Sequence, residues 1–139
     1  MQYGFGGSRA LDAEPNEIPR VGPQWLLEGS AEYAAYRATA SQGLIGMDEI
    51  RAQWASRTKL ISNPLSSKET SQGFFAEPEA YQIGPPAVDF LLGGRPDALL
   101  VAFYEAIGRG QPWQSAFASV SGKSIETFYA EFEAYRAGL

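Results

Sequence analysis

Apolar side chains along this chain recur at spacings of three, four and seven, which is the period of a helix packed on one face. Leu100, Phe103, Tyr104 and Ile107 form one such stripe, which predicts a helix over 96–107 that Gly108 and Gly110 bring to an end. Ile125, Phe128, Tyr129 and Phe132 form another, which predicts a helix from Ser124, a good N-cap, to Ala137. Met47, Ile50 and Trp54 predict a third over 47–56, with Asp48, Glu49 and Arg51 elsewhere on the cylinder.

Turn chemistry fills in the rest. Gly22-Pro23 marks a helix start, with proline at the first helical position, and the helix runs to Ala40 before Gly43. A short helix is expected over 112–120. Helical pattern also covers 77–92, but Gly84-Pro85-Pro86 interrupts it, so a kink or two pieces is expected there. Residues 57–73 are polar and turn-rich and read as an exposed loop, and residues 1–22 as a flexible N-terminal loop. No stretch alternates with period two, and no repeat is visible. The expected fold is all-α, a compact bundle of five to six helices over residues 23–139.

Composition narrows the function. With 139 residues, 45% apolar and 19% charged, the chain has the make-up of one folded domain. Its net charge of −5 argues against nucleic acid or an anionic membrane as partner. No basic-then-apolar leader opens the sequence, and no apolar run approaches the ~20 residues that span a bilayer, so a soluble, unexported product is expected, its compartment unassigned. There is no cysteine, which excludes disulfides and thiolate metal sites, and no histidine. Without imidazole, neither a Ser-His-Asp nor a Cys-His device can be built from this chain alone.

One segment carries more than a core pattern. Glu28 and Glu32 lie four apart on one face of the first helix, a spacing that destabilises an isolated helix by roughly 0.2–0.5 kcal/mol. Trp25 sits one turn before Glu28, and Gly29 interrupts the helix at a cost of ~1 kcal/mol relative to alanine. Paired glutamates on a helix are usually a solvated face. Here a glycine that lets another backbone or a ligand come close adds something helix stability would not select.

The string Trp25-Leu-Leu-Glu28-Gly29-Ser-Ala-Glu32-Tyr33 resembles the WLxEGxAEY segment of gluzincin zinc metallopeptidases, in particular the peptidase MA-like group. The tail is similar too: a helix from Asp97, then Gly110-Gln-Pro-Trp113-Gln-Ser-Ala-Phe117, then Gly122-Lys-Ser-Ile125-Glu-Thr-Phe128, so that the likeness covers about residues 22–137. The resemblance implies that Glu28 is the third zinc ligand and that Glu32 orients a zinc-bound histidine. It also implies a peptide or protein substrate; some members of the family carry a Tyr or His on a downstream helix as oxyanion stabiliser, and Tyr81 is the candidate here, with plain packing as its alternative. Trp113 and Phe117 are read as packing.

The chain departs from that pattern where the chemistry would be. It has no HExxH, so two of three zinc ligands and the general base are missing, and no tight zinc binding is expected of it alone. A lobe inactive by itself is the expectation, with an upstream truncation or internal start as its origin, or a partner chain supplying HExxH. The alternative is a small helical interaction or assembly module, which would self-associate through an apolar flank along Leu26, Leu27 and Tyr33.

Overall fold

The computed structural model describes residues 13–77 and 82–139. Among them the fold is all-α: α1 (Gln24–Ser41), α2 (Met47–Thr58), a 3-10 turn (Leu65–Lys68), α3 (Ser71–Phe74), α4 (Gly84–Leu92), α5 (Ala98–Gly108), α6 (Trp113–Ser121) and α7 (Ile125–Ala137). No strand occurs among the described residues. That is one helix more than expected. The addition is α3, inside the stretch read as loop, where the Thr70 hydroxyl caps the turn by accepting from the Gly73 N–H at 3.0 Å.

The apolar stripes bury as their spacing predicts. Leu100, Phe103 and Ile107 of α5 and Ile125, Phe128 and Phe132 of α7 are all core, as are Ile50 and Trp54 of α2. Phe128 is the hub. Trp25 stacks on it with ring centres 5.7 Å apart, and Phe117 meets it edge-on at 5.6 Å, arrangements that suit the ring quadrupoles. Ser124 caps α7, accepting from the Thr127 N–H at 3.1 Å. Pro23 occupies the cap of α1 and not its first turn, one residue earlier than expected.

Of the kink or two pieces expected over 77–92, the described residues show no kink: Gly84-Pro85-Pro86 begins α4, where the missing proline N–H groups fall in the first turn and cost nothing. Residues 57–73, expected as an exposed loop, are only partly exposed. Ile61, Leu65 and Lys68 within them are buried, as is Phe74 just beyond. Lysine in a polar run reads as solvated, and only the fold shows that Lys68 points inward to a carboxylate.

The segment before α1 is anchored where it is described. The Gln72 N–H donates to the Pro15 carbonyl at 2.8 Å, and Val21 is fully buried. None of the helices is long and apolar enough to cross a membrane among the described residues.

Candidate functional site

Helix α1 divides its surface three ways. At 100° per residue, Trp25, Leu26, Gly29 and Tyr33 fall on one side, and all four are buried. Glu28 and Glu32 lie beside that face and are half-buried. Ser30, Ala31 and Ala34 look the other way, into a groove against α5.

The inward face is set by a backbone contact. A Cβ built on Gly29 would sit 2.7 Å from the carbonyl carbon of Gly84 and 2.8 Å from its oxygen, closer than real Cβ atoms come. One built on Gly84 would meet the Gly29 Cα at 2.8 Å. Of the two uses foreseen for Gly29, the structure shows the approach of another backbone, that of α4. The same packing overturns the expectation of an exposed flank. Leu26 is 1% and Tyr33 4% exposed, and Leu27 is half-buried. Leu26 sits among Leu91, Leu100 and Phe103, and Tyr33 packs on Trp54 with ring centres 6.0 Å apart. The chain's own α2, α4 and α5 close that surface.

Trp25 is held as well as buried. Its Nε1–H donates to the Tyr129 hydroxyl at 3.0 Å, and that hydroxyl donates to Glu69 Oε2 at 2.7 Å. Burial pushes the Tyr129 phenol far above its ordinary value; the Trp25 N–H works against this, and the Glu69 carboxylate adds to it. The phenol therefore stays protonated across the physiological range and acts as a fixed donor. Tyr33 donates to Asp89 Oδ1 at 3.5 Å, and the Arg51 guanidinium clamps both oxygens of the same carboxylate at 3.0 Å.

The two carboxylates of interest differ. Glu28 Oε1 accepts from the Gln24 side-chain amide at 3.0 Å. The Glu32 carboxyl is raised above its usual range, first by burial and then by the negative charge of Glu28. Such a pair can accept protons or offer hard oxygen ligands. It does not make a zinc site. A catalytic zinc takes three protein ligands and an open position, and no group of three or more His, Cys, Asp or Glu able to hold a metal occurs among the described residues. Tyr81 lies outside the described residues.

No family model matches the chain. No curated protein and no solved structure matches it either. The gluzincin likeness therefore stands on the residues quoted for it.

Sequence reasoning missed two features. One is the Lys68–Glu77 ion pair, with Nζ 2.6 Å from Oε1 and the lysine fully buried. The other is the groove between α1 and α5, of about 700 Å³, which neither Glu28 nor Glu32 lines. The small residues Ser30, Ala31 and Ala34 on α1, facing a valine outside the α5 stripe, were the available signal.

Proposed function

We propose that this chain is a helical lobe of gluzincin type that presents Glu28 and Glu32 to a histidine-bearing segment and hydrolyses no peptide by itself. The observation that carries the reading is how α1 is divided. Trp25, Leu26, Gly29 and Tyr33 are used up in packing, while two like charges stay at a spacing that works against the helix. Residues that cost stability and fill no packing role are where function usually resides.

The role for Glu28 is a carboxylate ligand, held in place by Gln24. Glu32, made more basic by burial and by Glu28, is suited as a carboxylate to accept a hydrogen bond from an imidazole N–H and thereby fix its tautomer, as carboxylates beside ligating histidines do. Both roles need histidines from polypeptide outside these 139 residues, because the chain has none.

Calorimetry with zinc tests this in two arms. The chain alone should show no tight stoichiometric binding; if it does, its own ligand set is sufficient and the reading fails. A helical peptide carrying HExxH should bind zinc more tightly with the chain present than without it. The gain should vanish in Glu28→Gln. A gain that survives this substitution, or no gain at all, would also refute the assignment.

A further inference from the structure

The groove between α1 and α5 is on the other flank of α1 from Glu28 and Glu32, and its walls are of a different kind. It runs along the whole of α5, from Asp97 before its first residue to Arg109 after its last, roughly 18 Å at 1.5 Å per residue. Ala31 and Ala34 form one wall and Leu100 and Val101 the other. Val101 is 57% exposed, an apolar side chain left without cover. We propose that this groove binds a neutral, elongated, apolar small molecule.

Three observations select that occupant. The first is size. A volume of about 700 Å³ falls inside the roughly 300–1,000 Å³ of small-molecule sites. Eleven residues line it, about half of the 20–30 that each side of a stable protein interface engages, so a second copy of the chain would gain too little here.

The second is the state of the polar groups along it. The Ser30 and Tyr104 oxygens are shielded from solvent. Burial pushes the Tyr104 phenol up to about 12, with the Ser30 hydroxyl opposing the rise, so it remains neutral. The middle of the groove thus offers contact surface in place of open hydrogen-bonding groups, which suits an apolar body.

The third is charge. Asp97 at one end is balanced by Arg37 at 3.8 Å, and Glu105 at the other end lies one helical turn before Arg109. An ionised head of either sign would meet both signs at either end, so charge favours neither acids nor amines. This inference is independent of the role given to Glu28.

The test is a fluorescence titration of the full chain with Nile red, a neutral solvatochromic dye. Saturable binding of one dye per chain is expected, displaced by dodecanol better than by dodecanoate or dodecylamine. Ala34→Trp, which fills the groove, and Val101→Asp, which puts a charge in its wall, should each weaken binding at least about tenfold. Their thermal melts should match the parent's, because both positions are exposed. Leu60→Asp, at an apolar position 67% exposed outside the groove, should bind dye like the parent. The proposal is overturned by an absence of saturable binding or by equal binding in the groove variants. Displacement best achieved by the acid or the amine would overturn it too. So would dye binding that follows a monomer–dimer equilibrium in sedimentation, since the groove would then be an interface between copies.

Discussion

The seam between α1 and α4 lies in the interior, and the strap over residues 59–77 runs along the surface with Ile61, Leu65, Lys68 and Phe74 turned in; the two are held by opposite means. The seam is a matter of shape: two glycines let backbones touch, and Trp25, Leu26 and Tyr33 fill the space around them. The strap is held by charge. Glu77 accepts from Lys68 at 2.6 Å and from the Ser62 N–H and hydroxyl at 3.1 and 3.0 Å. At its other side α7 takes over, with Glu133 accepting from the Leu65 N–H at 2.8 Å and Arg136 donating to the Ile61 and Asn63 carbonyls at 3.1 Å each. Apolar contacts make the seam tolerant of pH, whereas the strap should be sensitive to it. The Tyr129 hydroxyl joins the two, between Trp25 and Glu69.

Breaking the strap should have the largest effect. Glu77→Gln leaves the buried Lys68 ammonium uncompensated and should cost about 3–5 kcal/mol in urea unfolding. The pH dependence follows from the Glu77 carboxyl. Burial alone would raise it, but the Lys68 ammonium and the two Ser62 donors reverse this and bring it down to about 2. A lowered carboxyl contributes stability above its unfolded value of 4.5, and that stability is lost as pH falls toward 2. Glu77→Gln should therefore show a shallower acid limb than the parent. The double variant Lys68→Met/Glu77→Leu should recover most of the loss, because an apolar pair has no desolvation to offset. If the single variant loses under 1 kcal/mol (roughly one surface pair's worth), the strap is not held by charge.

The seam should break less severely. Gly29→Ala gains ~1 kcal/mol of helix propensity but drives a methyl into the Gly84 backbone, which cannot swing aside as a side chain could. A net loss of about 2 kcal/mol is expected from thermal melts, with no change in acid sensitivity. A stabilised Gly29→Ala would mean that the seam has slack and that the glycine is there for another reason.

How far these regions could be read in advance follows from how each is held. The stripes of α5 and α7 announce themselves because burial on one face imposes a period. Gly29 stands out because glycine inside a helix is costly, although which backbone it admits was not legible. The strap was misread, since Lys68, Glu77 and Ser62 are polar residues with no period, and their pairing depends on where the fold places them. At Gly84-Pro85-Pro86 the break was legible, and whether it kinks a helix or begins one was not. A proline pair breaks a helix or begins one according to what precedes it. As for the site, the Glu28–Glu32 pair was visible as a spacing, and the lack of histidine as a composition. The groove was not, because it is made by two helices sixty residues apart in sequence.

The link between the regions should rank next. Tyr129→Phe removes the acceptor of the Trp25 N–H and the donor to Glu69, and a buried donor left unpaired costs about 1–2 kcal/mol. Combined with Glu77→Gln, it should lose less than the two separate losses together if the hydroxyl couples seam to strap. Full additivity in urea unfolding would show that they are independent.

The smallest expected effect bears on the candidate site. Glu32 is raised by burial and by Glu28, so its folded value lies above the unfolded 4.5. The stability it contributes is complete below 4.5 and is lost as pH rises through the raised value, the reverse of Glu77. Glu32→Gln removes one of two like charges at i, i+4 and should stabilise the chain at neutral pH by about 0.2–0.5 kcal/mol, with little gain at pH 4. The seam and the strap would lose stability on substitution, whereas this position would gain it. A residue that the fold is better without, in a helix whose Trp25, Leu26, Gly29 and Tyr33 all pack, is one kept for something other than the fold. If Glu32→Gln were neutral or destabilising at pH 7, the pair would be an ordinary half-solvated face, and the case for Glu28 as a ligand would lose its physical support.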